Sequence, residues 1–133
     1  MSLFSVTISP RFYETDALGH INNASIAAWF EVARITFMES LGDAGAGSTM
    51  SWVLASVQID FIAETFYGSD VIATVTGAAA GNSSLTILCE MSQGGKLTVR
   101  GTAVLVYLDT ATKTPLRIPD GLRDQLPATD PKA

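Results

Sequence analysis

Residues 16–41 read DALGHINNASIAAWFEVARITFMESL, a polar loop that runs directly into the one long helical pattern of the chain. Apolar side chains recur there at spacings of three and four, which is the signature of one apolar helix face. They are Ile26, Trp29, Phe30, Ala33, Phe37 and Leu41. Asn22 and Asn23 are suited to cap the first turn, and Gly42 is suited to end the helix in a left-handed conformation. The stretch therefore predicts a helix from about Asn23 to Leu41.

The loop before this helix has a chemical consequence. A helix N-terminus offers free N–H donors and about half a positive charge. Asp16 lies close upstream, and Gly19 lets the chain between them turn sharply. If the loop folds back, a carboxylate lies beside donors able to hold a developing oxyanion. That pairing suits acyl transfer.

The composition limits the classes of partner. The 133 residues suffice for a single domain, 1–133, with a core of its own and a frayed tail over about 127–133. A net charge of -5 without any basic run argues against nucleic acid and anionic membranes. With Cys89 as the only cysteine and one histidine, the chain has too few ligands for a zinc site. We expect a cytoplasmic protein, because neither a signal peptide nor a membrane span is recognisable.

Alternating apolar and polar residues predict five strands. These strands are Leu3–Tyr13, Trp52–Phe61, Asp70–Gly77, Ser84–Ser92 and Lys96–Asp109. In the second strand, one apolar face is predicted to consist of Val53, Ala55, Val57, Ile59 and Phe61. Gly94 and Gly95 signal a hairpin, and Gly101 indicates a bulge or a close backbone approach. Short connections favour antiparallel neighbours, and a lone helix must pack on the sheet, so the predicted fold class is α+β.

Three segments carry a resemblance to a known family. They are RFYETDALGHINN at 11–23, WFEVAR at 29–34 and NSSLT at 82–86. On these segments the chain resembles hot dog fold acyl-CoA thioesterases of the 4-hydroxybenzoyl-CoA thioesterase-like family. The resemblance implies a five-stranded curved antiparallel sheet wrapped around one long central helix. It also implies hydrolysis of an acyl-CoA to a free carboxylic acid and CoA, without a cofactor or metal.

The resemblance assigns the catalytic carboxylate to Asp16, as nucleophile or as general base. His20 is expected to orient the substrate or the loop, and Asn22 and Asn23 to cap the helix or to contact the thioester. The expected oxyanion donors are backbone N–H groups near Asn23, Ala24 and Ser25, at the start of the helix. Leu18 replaces the catalytic Asn of plant acyl-carrier-protein thioesterases, so their particular mechanism is not carried over.

Other residues have two interpretations each. Asn82, Ser83 and Ser84 correspond to a CoA-contacting position in the family, or form an ordinary hairpin turn. Glu31 is expected in an ion pair with Arg34 or Arg11 rather than in catalysis. Glu64 is a weaker candidate than Asp16 for the catalytic carboxylate, because the residues around it are typical of a connection between two strands.

The resemblance implies a homodimer or homotetramer whose active sites combine two subunits. The sequence agrees, because an apolar sheet face remains open opposite the helix. That face comprises Ile72, Val104, Val106 and Leu108. Three alternatives remain: a thioesterase for acyl-carrier protein, a hot dog hydratase with His20 paired to Glu31 or Glu64, and a non-catalytic acyl-binding protein. The acyl group is not readable from the sequence.

Overall fold

The computed structural model describes residues 3–41 and 50–127. Its helices are α1 Asn23–Ser40 and α2 Asp120–Arg123, and a 3-10 turn covers Phe12–Glu14. Its strands are β1 Phe4–Ile8, β2 Met50–Phe61, β3 Val71–Ala80, β4 Ser84–Gln93, β5 Lys96–Asp109 and β6 Thr114–Pro115. The sheet order is β1-β3-β4-β5-β2, with every pair antiparallel and the two-residue β6 added to β5. The α+β prediction with one long helix and five principal strands is confirmed.

Helix α1 packs its apolar face onto the sheet, as its periodicity predicts. The Asn22 side chain accepts the Ser25 N–H at 2.8 Å, which confirms Asn22 as the N-cap. The helix ends at Ser40, one residue earlier than predicted, and Gly42 lies outside the described residues. Its buried face consists of Ile26, Trp29, Phe30, Ala33, Arg34 and Phe37, so it includes one charged side chain that the pattern did not predict.

The helix and the sheet come into close contact at Gly101. A Cβ atom placed on this residue would lie 3.1 Å from Cε2 and Cζ of the Phe30 ring. The strand pairing continues through Gly101 on both sides, with Cys89 in β4 and Ile59 in β2 opposite it. Of the two interpretations of Gly101, close approach is therefore correct and a bulge is wrong.

The alternation in β3 and β4 is confirmed. The apolar residues that alternate along β4, which are Leu85, Ile87, Cys89 and Met91, are all buried. Gly94 and Gly95 both have positive φ and connect β4 to β5 in a tight hairpin. The core therefore lies between α1 and the strands β3, β4 and β5.

The predicted apolar face of β2 is wrong. The register shifts between Leu54 and Ser56, so Ala55 is an extra residue. Val53 lies opposite Val106 on the outer face, whereas Val57 lies opposite the buried Ala103 on the inner face. The bulge therefore divides the apolar residues of β2 between both faces, and most side chains of Trp52–Phe61 are exposed.

The first strand is also shorter than predicted. Pro10 has no N–H for a ladder, and β1 ends at Ile8, two residues before it. Residues Phe12–Glu14 then form the 3-10 turn rather than a continuation of the strand. This early ending releases the polar loop that leads to α1. Farther along the chain, α2 forms a short helical turn after Pro119, and the chain is described to Pro127.

Candidate active site

A buried carboxylate fastens the polar loop to α1. Glu14 accepts the Arg11 N–H at 2.8 Å through Oε1 and the Trp29 indole N–H at 2.9 Å through Oε2. Its backbone carbonyl accepts the Asn22 N–H at 2.8 Å. Glu14 therefore bridges both ends of the loop and the second turn of the helix. Sequence reasoning missed this role, and the one available signal was the rule that a buried Trp N–H needs a partner.

Asp16 forms a tight turn within this loop. Its Oδ1 accepts the Leu18 N–H at 2.8 Å and the His20 N–H at 3.1 Å, and its own N–H donates to the His20 carbonyl at 2.7 Å. Gly19 adopts φ +84°, which permits the turn. Asp16 is exposed in a single chain, and its Oδ2 has no hydrogen-bond partner among the described residues. One carboxylate oxygen is thus held while the other is open to a substrate.

The start of α1 supplies two free donors rather than three. The Ser25 N–H is already bonded to the Asn22 side chain, so Ser25 is a poor choice for an oxyanion donor. Within the described part of the chain, the N–H groups of Asn23 and Ala24 have no partner. They leave a site for an anion at the positive end of the helix.

A cleft of about 320 Å³ opens beside this helix start. It is lined by His20, Ile21, Asn23, Ile26 and the segment Phe61–Thr65. The structure thus brings together two of the predicted site residues, His20 and Asn23, on walls that are mainly apolar. Asp16 does not line this cleft itself, but its turn is bonded to the backbone of His20, which does.

Glu64 faces His20 across one side of the cleft. The His20 Nε2 atom lies 3.4 Å from Glu64 Oε2, and the imidazole meets the Phe66 ring edge-on at 5.1 Å between centroids. A backbone bridge pairs His20 with Phe66, and the Ile21 N–H donates to the Thr65 carbonyl at 2.8 Å. The sequence offered His20 with Glu64 only as one of two pairings for a hydratase, because no local pattern signals the backbone contacts that bring the two loop segments together.

The family of this chain is shown by a match along nearly its whole length. The sequence profile of the thioesterase-like superfamily matches residues 10–126. The chain belongs to this superfamily. The match includes the loop, the helix and the segment around Glu64, which confirms the family resemblance.

Several solved structures share the hot dog fold of this chain. A predicted thioesterase from Bacillus stearothermophilus is 34% identical, covers 92% of each chain and has a TM-score of 0.83. The PA5185 protein from Pseudomonas aeruginosa is 27% identical over 94% of this chain and 90% of its own, with a TM-score of 0.81. A thioesterase from Thermus thermophilus, solved with coenzyme A and Zn, is 27% identical over 92% and 90%, with a TM-score of 0.79.

An uncharacterised Bacillus subtilis protein, YsmA, is also related. It is 34% identical over 80 residues, which are 60% of this chain. The match spans only about half, 54%, of the length of YsmA.

In this thioesterase-like chain, Asn82, Ser83 and Ser84 lie far from the cleft. Their hairpin begins β4 at Ser84, whereas the cleft segment is held near the other end of β4, where Gln93 bonds the backbone of Phe66 at 3.0 and 2.7 Å. Ten residues of strand separate the two ends, which is about 30 Å. Within one chain the structure does not bring Asn82–Ser84 together with Asp16.

The turn of this hairpin is held by residues 118 and 123. The Arg123 guanidinium donates to the carbonyls of Gly81 and Asn82, and the Ile118 N–H donates to the Asn82 carbonyl at 2.8 Å. The Ser83 carbonyl accepts the Tyr107 N–H at 2.8 Å. These contacts give the segment the structural role of a braced turn.

Glu31 and Arg34 do not form the expected surface ion pair. Glu31 is exposed, whereas Arg34 is buried beside Cys89, and no carboxylate of the described residues lies within ion-pair distance of Arg34. Burial lowers the pKa of Arg34, opposed by its interactions with Cys89 and Glu31. Burial raises the pKa of the Cys89 thiol to about 12 although Arg34 opposes the shift. Cys89 is therefore an inert core thiol and not a nucleophile.

Neither a metal site nor a membrane-spanning helix is found in the part of the chain that the structure describes. Residues 3–41 and 50–127 contain no group of three or more His, Cys, Asp or Glu side chains placed to hold a metal ion. Over those same residues, no helix has the length and apolar character needed to cross a bilayer.

Proposed function

We propose that this thioesterase-like protein hydrolyses an acyl-CoA thioester to a free carboxylic acid and CoA. The observation that carries the proposal is the arrangement at the start of α1. There, the half-free carboxylate of Asp16 is bonded to the backbone of a cleft residue, and the unpaired N–H groups of Asn23 and Ala24 lie at the helix terminus. The Thermus thioesterase solved with coenzyme A supports CoA as the thiol part of the substrate.

Asp16 has two possible roles in this reaction. As nucleophile, its carboxylate attacks the thioester carbonyl, the C–S bond breaks, and water later hydrolyses the mixed anhydride. As general base, it takes a proton from the water that attacks. Either path needs oxyanion donors, and the N–H groups of Asn23 and Ala24 would supply them. The leaving thiol has a pKa of about 8.5, so it departs without strong acid assistance.

We also propose that the working form is a homodimer or a tetramer built from it. The inner face of β2 exposes Leu54, Val57 and Phe61, each more than 40% accessible, and the outer edge of β2 has no neighbouring strand among the described residues. An apolar surface of this kind needs a cover. A second copy would shield Asp16 from water, and could bring its own Asn82–Ser84 turn to the cleft. Light scattering that finds only monomer at assay concentration would contradict the oligomer.

The test of the activity is thiol release from a panel of short, long and aromatic acyl-CoAs. Asp16→Asn should lower kcat/KM by at least about 100-fold, which is typical for loss of a nucleophile or base. Asp60→Asn is the matched control, because Asp60 is an exposed carboxylate on β2 whose side chain, among the described residues, bonds only that of Gln58. Equal activity of Asp16→Asn and wild type would refute the role of Asp16.

The same panel separates the other functions. Faster release from acylated carrier protein than from acyl-CoA would favour the carrier-protein thioesterase, a docking that two acidic surfaces oppose. Tight acyl-CoA binding without thiol release would favour a non-catalytic binding protein.

One observation keeps a hydratase as the second candidate. His20 and Glu64 form an acid–histidine pair beside the cleft, and such a pair can move protons to and from an enoyl thioester. Loss of the absorbance of a 2-enoyl-CoA without thiol release would establish hydration and exclude hydrolysis as the main reaction.

A further inference from the structure

We infer that His20 is the base that activates the hydrolytic water, and that Glu64 is the positioning residue that fixes which nitrogen of His20 carries the proton. This inference rests on the proposed thioester hydrolysis and assigns Asp16 the nucleophilic role within it. The observation behind it is the 3.4 Å approach of Glu64 Oε2 to His20 Nε2 at the wall of the cleft.

The pair is held by backbone contacts, not only by its two side chains. His20 is paired with Phe66 by a backbone bridge, and the Ile21 N–H donates to the Thr65 carbonyl at 2.8 Å. These contacts hold together the two segments that carry His20 and Glu64. Gln93 fixes the second segment in turn, through bonds to the N–H and carbonyl of Phe66 and to the Ser69 carbonyl. The Phe66 ring supports one edge of the imidazole. The 3.4 Å between His20 Nε2 and Glu64 Oε2 is longer than an ordinary hydrogen bond, as catalytic contacts often are before substrate binds.

Two carboxylates of the described residues contact His20, one at its ring and one at its backbone. Glu64 lies beside Nε2, while Asp16 is bonded to the backbone N–H of His20. A carboxylate is only an acceptor, so in the neutral imidazole it favours the proton on Nε2 and leaves the Nδ1 lone pair free. The described residues offer no hydrogen-bond partner to Nδ1, so this nitrogen can accept a proton from water. The side chain of His20 is only 26% exposed, which limits competition from bulk water.

The reaction begins and ends with the free carboxylate of Asp16. Asp16 attacks the thioester and CoA leaves as a thiolate. Water then adds to the acyl carbonyl of the anhydride while its proton passes to Nδ1 of His20. Collapse of the adduct breaks the bond to Asp16 and releases the acid together with the Asp16 carboxylate. The proton on His20 is passed to the thiolate or to solvent, and the acid ionises.

The first experiment reads the tautomer directly. The chain has one histidine, so ¹⁵N NMR of the labelled protein shows a single imidazole. In the neutral state, the wild type should carry the proton on Nε2. Glu64→Gln can instead donate its amide N–H to Nε2, so the proton should move toward Nδ1. Glu90→Gln, which alters a different ion pair with Arg100 at 3.2 Å, should leave the spectrum unchanged. A wild-type proton on Nδ1 would overturn the inference.

The second experiment tests the step in which water hydrolyses the anhydride on Asp16. His20→Gln should release about one thiol per site in a burst and then turn over about 100-fold more slowly than wild type. Glu64→Gln should lower kcat about tenfold with little change in KM, as loss of a group that orients a catalytic side chain does. Thermal unfolding checks that both variants are folded. Wild-type turnover by His20→Gln would overturn only this inference, whereas a wild type that releases no thiol would overturn the proposed function as well.

Discussion

The bond between Glu14 and Trp29 offers the sharpest test of how the loop is held. Glu14 meets two N–H donors with two oxygens, at 2.8 Å from the Arg11 nitrogen and 2.9 Å from Trp29 Nε1. Glu14→Gln keeps the shape but supplies only one acceptor oxygen, so its NH₂ group must face the other donor. Trp29 is 5% exposed, and water cannot readily replace the lost partner.

The cost follows from these contacts. An unsatisfied buried donor costs about 1–3 kcal/mol, and exchanging a charged acceptor for a neutral one weakens the remaining bond. We therefore expect Glu14→Gln to lower the free energy of unfolding by about 2–4 kcal/mol. The measurement is urea unfolding followed by far-UV circular dichroism at one fixed protein concentration, because an oligomer's stability depends on concentration.

A double-mutant cycle identifies the donor. Trp29→Phe removes the indole N–H, so Glu14→Gln in that background leaves a single donor for its single oxygen and should cost only about 1 kcal/mol. Glu90→Gln is the control, an exposed ion-pair residue whose loss should cost less than about 1 kcal/mol. If the cost of Glu14→Gln is the same with Trp29 and with Phe, the indole bond contributes nothing and the reasoning is refuted.

Three further predictions concern the core and the helix start. Gly101→Ala should destabilise by about 1–3 kcal/mol in urea unfolding, because its methyl group would press on the Phe30 ring at 3.1 Å; no loss would show that the ring moves aside freely. Asn22→Ala should cost about 1 kcal/mol in the same measurement through loss of the Ser25 cap, and an unchanged midpoint would contradict the cap. Cys89, with its pKa raised from 9.0 to about 12, should react with a thiol reagent at pH 8 about a thousandfold more slowly when folded than when unfolded. Because the pKa of the thiol is higher in the folded than in the unfolded protein, the contribution of the neutral thiol to the free energy of unfolding is full below about pH 9. This contribution is lost as the pH rises from about 9 toward about 12. Cys89→Ala should therefore make the free energy of unfolding less sensitive to pH in that range.

The elements that the sequence predicts well are those whose apolar pattern continues regularly over many residues. Helix α1 and the strands β4 and β5 each carry a regular apolar pattern over nine or more residues, and their bounds differ from the prediction by one residue at most. Local turn chemistry was equally readable, because Gly94 and Gly95 have few alternatives to a hairpin. These features depend on neighbours in the chain.

Features that depend on tertiary contact were missed. The bulge at Ala55 escaped because valine, alanine and phenylalanine are acceptable on either face of an edge strand. The burial of Arg34 escaped because its position in the helical repeat does not reveal that it lies against Cys89.

The candidate site divides in the same way. Asp16 and Asn22 could be selected from the residues around a helix start, whereas Glu64 could be named only as a weaker candidate, because its place beside His20 depends on the contact of two loop segments. The distance of Asn82 from the cleft could not be predicted either, because no local pattern shows which end of β4 lies near the cleft.

The brace formed by Arg123 ties the order of synthesis to the order of folding. The carbonyls of Gly81 and Asn82 receive their partner from a residue 42 and 41 positions later. On a ribosome, strands β3 and β4 would emerge with this turn still solvated, and it would become rigid only after α2 had left the exit tunnel. Maturation of that tip should therefore come only after all five principal strands have been synthesised.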